Sequence, residues 1–287
     1  MASSDKLIAL IEGTDRGISA SDATRMEILG QIEELEEGWR GTDAFAATQS
    51  GYLLRNTEVA YVGQASSKAA NAAGGKYRGR IGRFLFRTDA LFQHVLAPDV
   101  AVNVIQFRLI GLIPGQAILK GAWAIAASDA ERTALQRNGT RTLSSNTIAV
   151  AFDSPRVAFG RKGWLLNLQL GPPSKVGLDV TYLDEAVRVC RGAGSGTPFV
   201  FRADTCAAPG APLHAASEQW RACIERPPLR RLPAVAATLA TALAVGSGLC
   251  RPLVPRWGAL ILAAAAGALL RSTGGIVVTP QDRSRAD

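Results

Sequence analysis

Histidine is almost missing from this sequence. Its 287 residues hold two, His94 and His214. A His-rich metal centre or a Ser-His-acid hydrolase therefore has very little to be built from. His94 sits in the apolar run LFQHVL, the setting of a wall or core residue, and His214 lies in a Pro/Ala-rich connector. No GxSxG nucleophile elbow is present. The four cysteines, Cys190, Cys206, Cys223 and Cys250, form no CxxC pair and fit no zinc spacing. In a chain of this length they read as reduced thiols, not as a disulfide scaffold. The expectation is no catalytic residue set, no metal and no cofactor. The opening MASSDKLIALIEG has neither a basic n-region nor a long apolar run, so no cleavable signal peptide is expected, and no Arg/Ser-rich transit peptide.

Positive charge is also scarcer than the total suggests. The net charge is +8. Residues 226–287 carry eight arginines against two aspartates, which leaves only +2 on residues 1–225. A nearly neutral body excludes the basic footprint that nucleic acid requires. The best nucleic-acid candidate is KYRGRIGRFLFR (76–87), with five basic and three aromatic residues. A solvated barrel face or rim explains it equally well, and with a nearly neutral body an anionic lipid surface explains it better than nucleic acid. The tail couples its arginines to apolar runs, LPAVAATLATALAVGSGLC (232–250) and WGALILAAAAGALL (257–270). The first just reaches the roughly 20 residues that cross a bilayer. Trp257 and the flanking arginines have the character of interfacial anchors. Membrane association through residues 232–270 is expected, the alternative being two buried or surface-lying helices.

What is abundant is hydrophobic residue, 47% of the chain, against 20% charged, enough for a sizeable core. SDKLIALIE (4–12) predicts a short amphipathic helix. Gly13 and Gly17 break it. Ser19 with Asp22 gives a capping-box spacing, with Ile18 as its staple, and Ile28, Leu29, Ile32 and Leu35 recur at helical spacing. From about residue 50, β-branched and aromatic runs alternate with Gly, Pro, Asn and Asp turns. Strands are predicted near 52–62, 81–87, 91–96, 101–110, 117–126, 146–152, 156–160, 164–170, 178–183, 186–191 and 198–203, with a loop around 65–76 and a helical turn within 128–140. Short strands without long intervening helices exclude a parallel α/β fold. Closing them into a barrel removes their edges.

One stretch invites a catalytic reading: YLDEAVRVCRGAGSGTPFVFRAD (182–204). A phosphate loop leads from a strand into a helix. GAGSGT leads instead into another strand, PFVFR, which makes it a hairpin turn. Asp179, Tyr182, Asp184, Glu185, Arg188 and Arg191 are expected to make cross-strand pairs rather than an acid–base site. Tyr182, Asp184, Arg188, Arg191 and Gly192 are thus assigned to a structural hairpin that holds register and rim.

Four segments in order resemble the plastid lipid-associated protein family, the plastid fibrillins or plastoglobulins. They are GTDRGISASDATRMEILGQIEELE (13–36), VAVNVIQFRLIGLIPGQAILKGAW (100–123), IAVAFDSPRVAFG (148–160), and YLDEAVRVCRG with GTPFVF. The resemblance covers about residues 5–206. The family's Trp-containing first strand is only loosely matched by SGYLLRNTEVAYVG (50–63), which has no tryptophan. The resemblance implies a mainly β fold: a lipocalin-like antiparallel β-barrel preceded by N-terminal helices. It implies binding of small hydrophobic molecules (fatty acid, prenylquinone or carotenoid class) or coating of lipid globules and thylakoid membranes in the plastid or chloroplast. It carries no catalytic residue. The alternatives left open are an enzyme or accessory factor in prenyl-lipid metabolism, and a structural membrane-assembly protein with a filled barrel.

The expected organisation is N-terminal amphipathic helices over 1–40, the barrel over 41–206, a Pro/Ala/Arg linker over 207–231, and the hydrophobic, helical tail over 232–287. Phe107, Leu109, Trp123, Phe152, Leu166, Leu168, Phe199 and Phe201 alternate within their strands and are the cavity candidates. The same residues filling a solid core is the competing reading.

Overall fold

The computed structural model describes residues 4–46, 51–63, 86–109, 111–136, 141–160, 166–169, 171–203 and 220–226. Two helices come first, α1 (Ser4–Ile11) and α2 (Asp22–Trp39). They are followed by β1 (Asn56–Val62), β2 (Phe86–Leu96), β3 (Val100–Leu109), β4 (Ile113–Ile125), α3 (Asp129–Gln136), β5 (Thr147–Phe152), β6 (Arg156–Phe159), β7 (Leu166–Gln169), β8 (Ser174–Leu183), β9 (Val187–Gly192) and β10 (Pro198–Ala203). The predicted strand 91–96 lies within β2, which begins at Phe86, while residues 81–85 of the strand predicted over 81–87 lie outside the described residues; the strand predicted from 52 begins at Asn56 after a helical turn at 51–53.

The strands form a closed antiparallel barrel. The ring runs β1-β2-β3-β4-β5-β8-β9-β10 and returns from β10 to β1, with the β3–β4 ladder joining what would otherwise be an open sheet. β6 pairs with β4 beyond β5, and β7 pairs with β6 as β8 pairs with β5. β5–β6 and β7–β8 are therefore two long strands, each interrupted once. Asp153 N–H bridges the first break by donating to the Lys120 carbonyl at 2.9 Å. The β6–β7 half projects past the ring as a flap. Consecutive strands are neighbours throughout, which is an eight-stranded up-and-down barrel. Gly121 marks a tight crossing in it, because a Cβ there would lie 2.0 Å from the Ala151 carbonyl oxygen.

Period-two alternation sorts the side chains into two faces. The inner set comprises Val59, Ala101, Leu119, Ile148, Val150, Phe152, Leu178, Val180, Cys190 and Phe201. The outer face is apolar on both sides of the ring, and the chain covers it with its own helices. On one side Leu7 and Ile11 of α1 and Ile28, Ile32 and Leu35 of α2 pack on Tyr61, Val187, Val189 and Val200. Each such buried aliphatic contributes about 1.5–3 kcal/mol. Glu36 of α2 fastens this layer by accepting from Nε and an Nη of Arg191, both at 2.7 Å, and from Thr181 Oγ1 at 2.7 Å. The link between the helices is tucked against β1. Gly17 has φ +87°, and a Cβ there would meet the Tyr61 ring at 2.7 Å.

The cap of α2 differs from the sequence expectation. The N-cap is Ser21, whose side chain accepts from Thr24 N–H. Ser19 instead donates to the Gly13 carbonyl, and Ile18 is 58% exposed, so it staples nothing. The two glycines let the chain turn tightly enough to start the helix two residues later.

On the opposite side, residues 220–226 cover Phe92, Val102, Val104, Ile118 and Ala158. The segment lies inside the stretch assigned to the linker, yet Trp220 and Cys223 are buried. Its helical turn ends against Arg156, which donates to the carbonyls of Cys223, Ile224 and Arg226 at 3.2, 2.9 and 3.0 Å. Asn167 donates to the Cys223 carbonyl, and Gln116 to its thiol. A cation at the C-terminal carbonyls is the favourable arrangement. The rest of the connector and both apolar runs, 232–250 and 257–270, lie outside the described residues. Among the described residues no helix is long and apolar enough to cross a membrane.

His94 sits beneath this segment, stacked between Phe92 and Trp220. Nδ1 lies 2.7 Å from Asn56 Oδ1, and Nε2 is buried without a partner. Burial, with Arg221 adding to it, lowers its pKa to about 4. An unfolded histidine takes its proton near pH 6.5. Stability present above pH 6.5 is therefore lost as pH falls toward 4, by on the order of 3 kcal/mol. His94→Gln should flatten that acid limb. Urea unfolding of both proteins at pH 7.5, 5.5 and 4.5 measures it; parallel curves would remove His94 as the cause.

Candidate functional site

The two ends of the barrel are built differently. One end, at the start of β1 and the end of β10, is closed by residues 42–46 and 51–55. Ala44 and Leu53 are buried in the inner core, with Trp39, Phe45 and Tyr52 packed beside them. Asn146 pins this closure, accepting from Ala44 N–H at 3.0 Å and donating to the Thr42 carbonyl at 2.7 Å. At the other end, where β1 finishes and the β3–β4 hairpin turns, the inward residues Val62, Leu91, Ile105, Val176 and Phe199 are only half-buried. The inner wall is thus fully buried at one end and partly exposed at the other.

All eight cavity candidates fall on the inward face. Trp123, Phe152, Phe199 and Phe201 line the ring, as their pairing with Val150, Gly121, Cys190 and Val59 requires. Phe152 and Phe201 are fully packed, whereas Trp123 and Phe199 are half-buried. Phe107, Leu109, Leu166 and Leu168 lie on the inward side of the flap. There Phe107 meets Phe159 edge-on at 5.8 Å.

The hairpin residues have separate tasks. GAGSGT is the turn between β9 and β10, as expected, with Gly192 N–H donating to the Thr197 carbonyl at 3.0 Å. Asp184 shapes the β8–β9 turn. Its Oδ1 accepts from the N–H groups of Ala186 and Val187 at 2.8 and 2.7 Å, and its Oδ2 accepts from the Tyr182 hydroxyl at 2.7 Å. Burial, with Asp184 adding to it, raises the Tyr182 pKa. Two expected cross-strand pairs are corrected. Asp179 faces Arg191 across the ladder. The carboxylate that Arg191 pairs with is nevertheless Glu36 of α2, and Asp179 is held mainly by Ser144 and Thr147. Arg188 points into the barrel.

Arg188 is the residue whose place sequence reading missed. Among the described residues it is the largest fully buried side chain. Its Nη2 donates to Gln93 Oε1 at 2.5 Å and Thr57 Oγ1 at 3.4 Å, and its Nη1 donates to the Leu53 carbonyl at 3.3 Å. Gln93 in turn donates to Asn103 Oδ1 at 3.0 Å. The guanidinium carbon lies 4.5 Å from the Phe201 ring centre. Burial lowers the Arg188 pKa and raises that of the neighbouring Cys190 thiol to about 12, so the thiol is inert. Alternation could not reveal this, because Val187, Arg188, Val189 and Cys190 are all buried, two facing the helices and two facing inward. A further cleft, about 250 Å³, lies outside the ring between α1 and β1, β9 and β10, under Arg16, Glu58 and Arg202. It is small for a lipid. Among the described residues no group of histidine, cysteine and carboxylate side chains is arranged to hold a metal.

The fold is an antiparallel barrel with a largely apolar inner wall, one sealed end and helices over its outer face. Comparison with known proteins agrees with the family resemblance. The chain is 27% identical over 197 residues to the probable plastid-lipid-associated protein 8, chloroplastic, of Arabidopsis thaliana, covering 68% of this chain and 69% of that protein. No protein-family profile matches the chain, and no solved structure matches it.

If Asp184 serves the turn rather than catalysis, Asp184→Ala should cost about 1–2 kcal/mol through its two backbone bonds, and Asp184→Asn should recover most of it. Thermal unfolding of the three proteins checks this; unchanged stability in the alanine variant would mean the carboxylate has another task.

Proposed function

We propose that this protein is a non-enzymatic lipid-associated protein of the plastid. Its barrel takes up one small hydrophobic molecule of the fatty acid, prenylquinone or carotenoid class at a plastoglobule or thylakoid surface. The observation that carries this reading is the gradient of burial along the inner wall, sealed by Leu53 and Ala44 at one end and half-buried at Val62, Leu91, Ile105, Val176 and Phe199 at the other. The likeness to a chloroplastic plastid-lipid-associated protein supports the compartment and the lipid association. The apolar runs at 232–250 and 257–270 would hold the protein at the membrane.

The test is extraction of the full chain, purified from a lipid-containing host, followed by mass spectrometry. About one apolar molecule per chain is expected, and Ile105→Trp, which adds bulk to the half-buried end, should reduce that occupancy severalfold. An empty wild-type protein would move the function from the interior to the surface.

Surface coating is the second reading, and a separate observation favours it. At the β3–β4 turn Leu112 is 81% and Ile113 36% exposed, with Arg108 and Arg87 nearby on β3 and β2. Burying an exposed leucine in lipid contributes roughly 2 kcal/mol. Leu112→Asp should therefore lower binding to vesicles containing anionic lipid by at least tenfold in flotation assays. Equal binding by the variant would exclude this hairpin as a contact.

A further inference from the structure

We propose that the sealed end of the barrel is an anion site, and that the molecule held in the interior is a long-chain carboxylate whose head group is received by Arg188. The inference rests on the reading of the barrel as a container and narrows its ligand to one chemical class.

The argument is one of uncompensated charge. Arg188 is 1% exposed. The groups that accept from it are neutral: a glutamine amide, a threonine hydroxyl and a backbone carbonyl, and the Cys190 thiol beside it is held neutral by burial. Its Nε is buried with no partner. Among the described residues no carboxylate pairs with it, whereas the less buried Arg16, Arg25 and Arg191 each have one, at 2.7, 3.0 and 2.7 Å. The contrast is sharpest on β9. Arg191 faces out and receives the bidentate carboxylate of Glu36; Arg188, three residues earlier, faces in and receives none. A full charge removed from water is strongly disfavoured until a counter-charge and hydrogen bonds replace the solvent.

A carboxylate fits what is missing. It carries one negative charge, and its planar fork matches the guanidinium. A doubly charged phosphate would leave an excess negative charge in the same dry site. The surrounding groups are suited to a polar head. Gln93, Thr57 and Asn103 are neutral, are linked to one another, and face the same inner space. From there the inward side chains of Leu91, Ile105 and Phe199 lead to the half-buried end, the path an acyl chain would take.

The experiment uses the full chain, stripped of lipid, titrated with oleate and with oleyl alcohol, two probes that differ only in the head group. Wild-type protein is expected to bind oleate about tenfold or more tightly than the alcohol. Arg188→Gln should remove that preference, and Arg188→Lys should retain part of it. If wild-type protein binds the alcohol as well as the acid, the carboxylate proposal is overturned and the container reading stands. If it binds neither, both fall. Should Arg188→Gln fail to fold, the wild-type comparison of the two probes decides alone.

Discussion

The ladder between β1 and β10 is the constraint on which the rest of the structure depends. Thr57–Val62 pair with Phe199–Ala203 and so join the first strand to the last. Without that ladder the sheet would offer two long apolar edges. With it, the ring has an inside and an outside, and both are apolar. The outside is covered by α1 and α2 over β1, β8, β9 and β10, and by residues 220–226 over β2, β3, β4 and β6. The covering elements are tied down by charge at their margins, Glu36 to Arg191 on one side and Arg156 to the carbonyls of 223–226 on the other. The helices are thus a consequence of closure: they bury the half of each strand that the interior cannot.

The same closure separates two arginines that look equivalent in sequence. Arg191 lies at the helix–barrel seam, where burial is partial and a bidentate carboxylate lies within reach. Arg188 lies inside, where the polar neighbours are neutral. A buried guanidinium is poor support for a core, since an apolar residue of similar volume would stabilise it as well or better. A core built only for stability would not choose it. A site that must hold a charged head group in an apolar container would.

Much of the fold was legible because its signals are local. The first helix, the periodic face of α2, the short helix between β4 and β5 and the β9–β10 turn all follow from spacing and turn chemistry within a few residues. The hairpin reading of GAGSGT held because a strand follows it. The cap of α2 did not follow the capping-box spacing, since two glycines changed where the chain turns. What sequence could not give was facing on β9. Val187 to Cys190 are buried on both sides, so period-two reasoning had no polar residue to mark the outside, and Arg188 was grouped with the rim. Trp220 and Cys223 were hidden for a different reason. They lie in a Pro/Ala-rich connector with no periodicity, and their burial depends on contacts with Gln116, Arg156 and Asn167 far away in sequence.

The two readings of function meet in one geometric fact. The β3–β4 turn, with exposed Leu112 and Ile113, lies at the same end of the ring as Val62, Ile105 and Phe199. The sealed end, with Arg188 and Leu53, is opposite. A barrel that touched a lipid surface through that hairpin would present its accessible end to the lipid and keep its polar cluster deepest. An amphiphile entering from the surface would have to pass head first to reach Arg188, leaving its chain toward the mouth. Surface contact and interior binding would then be successive steps along one axis. The asymmetry of the two ends, not the barrel as such, gives that axis its direction.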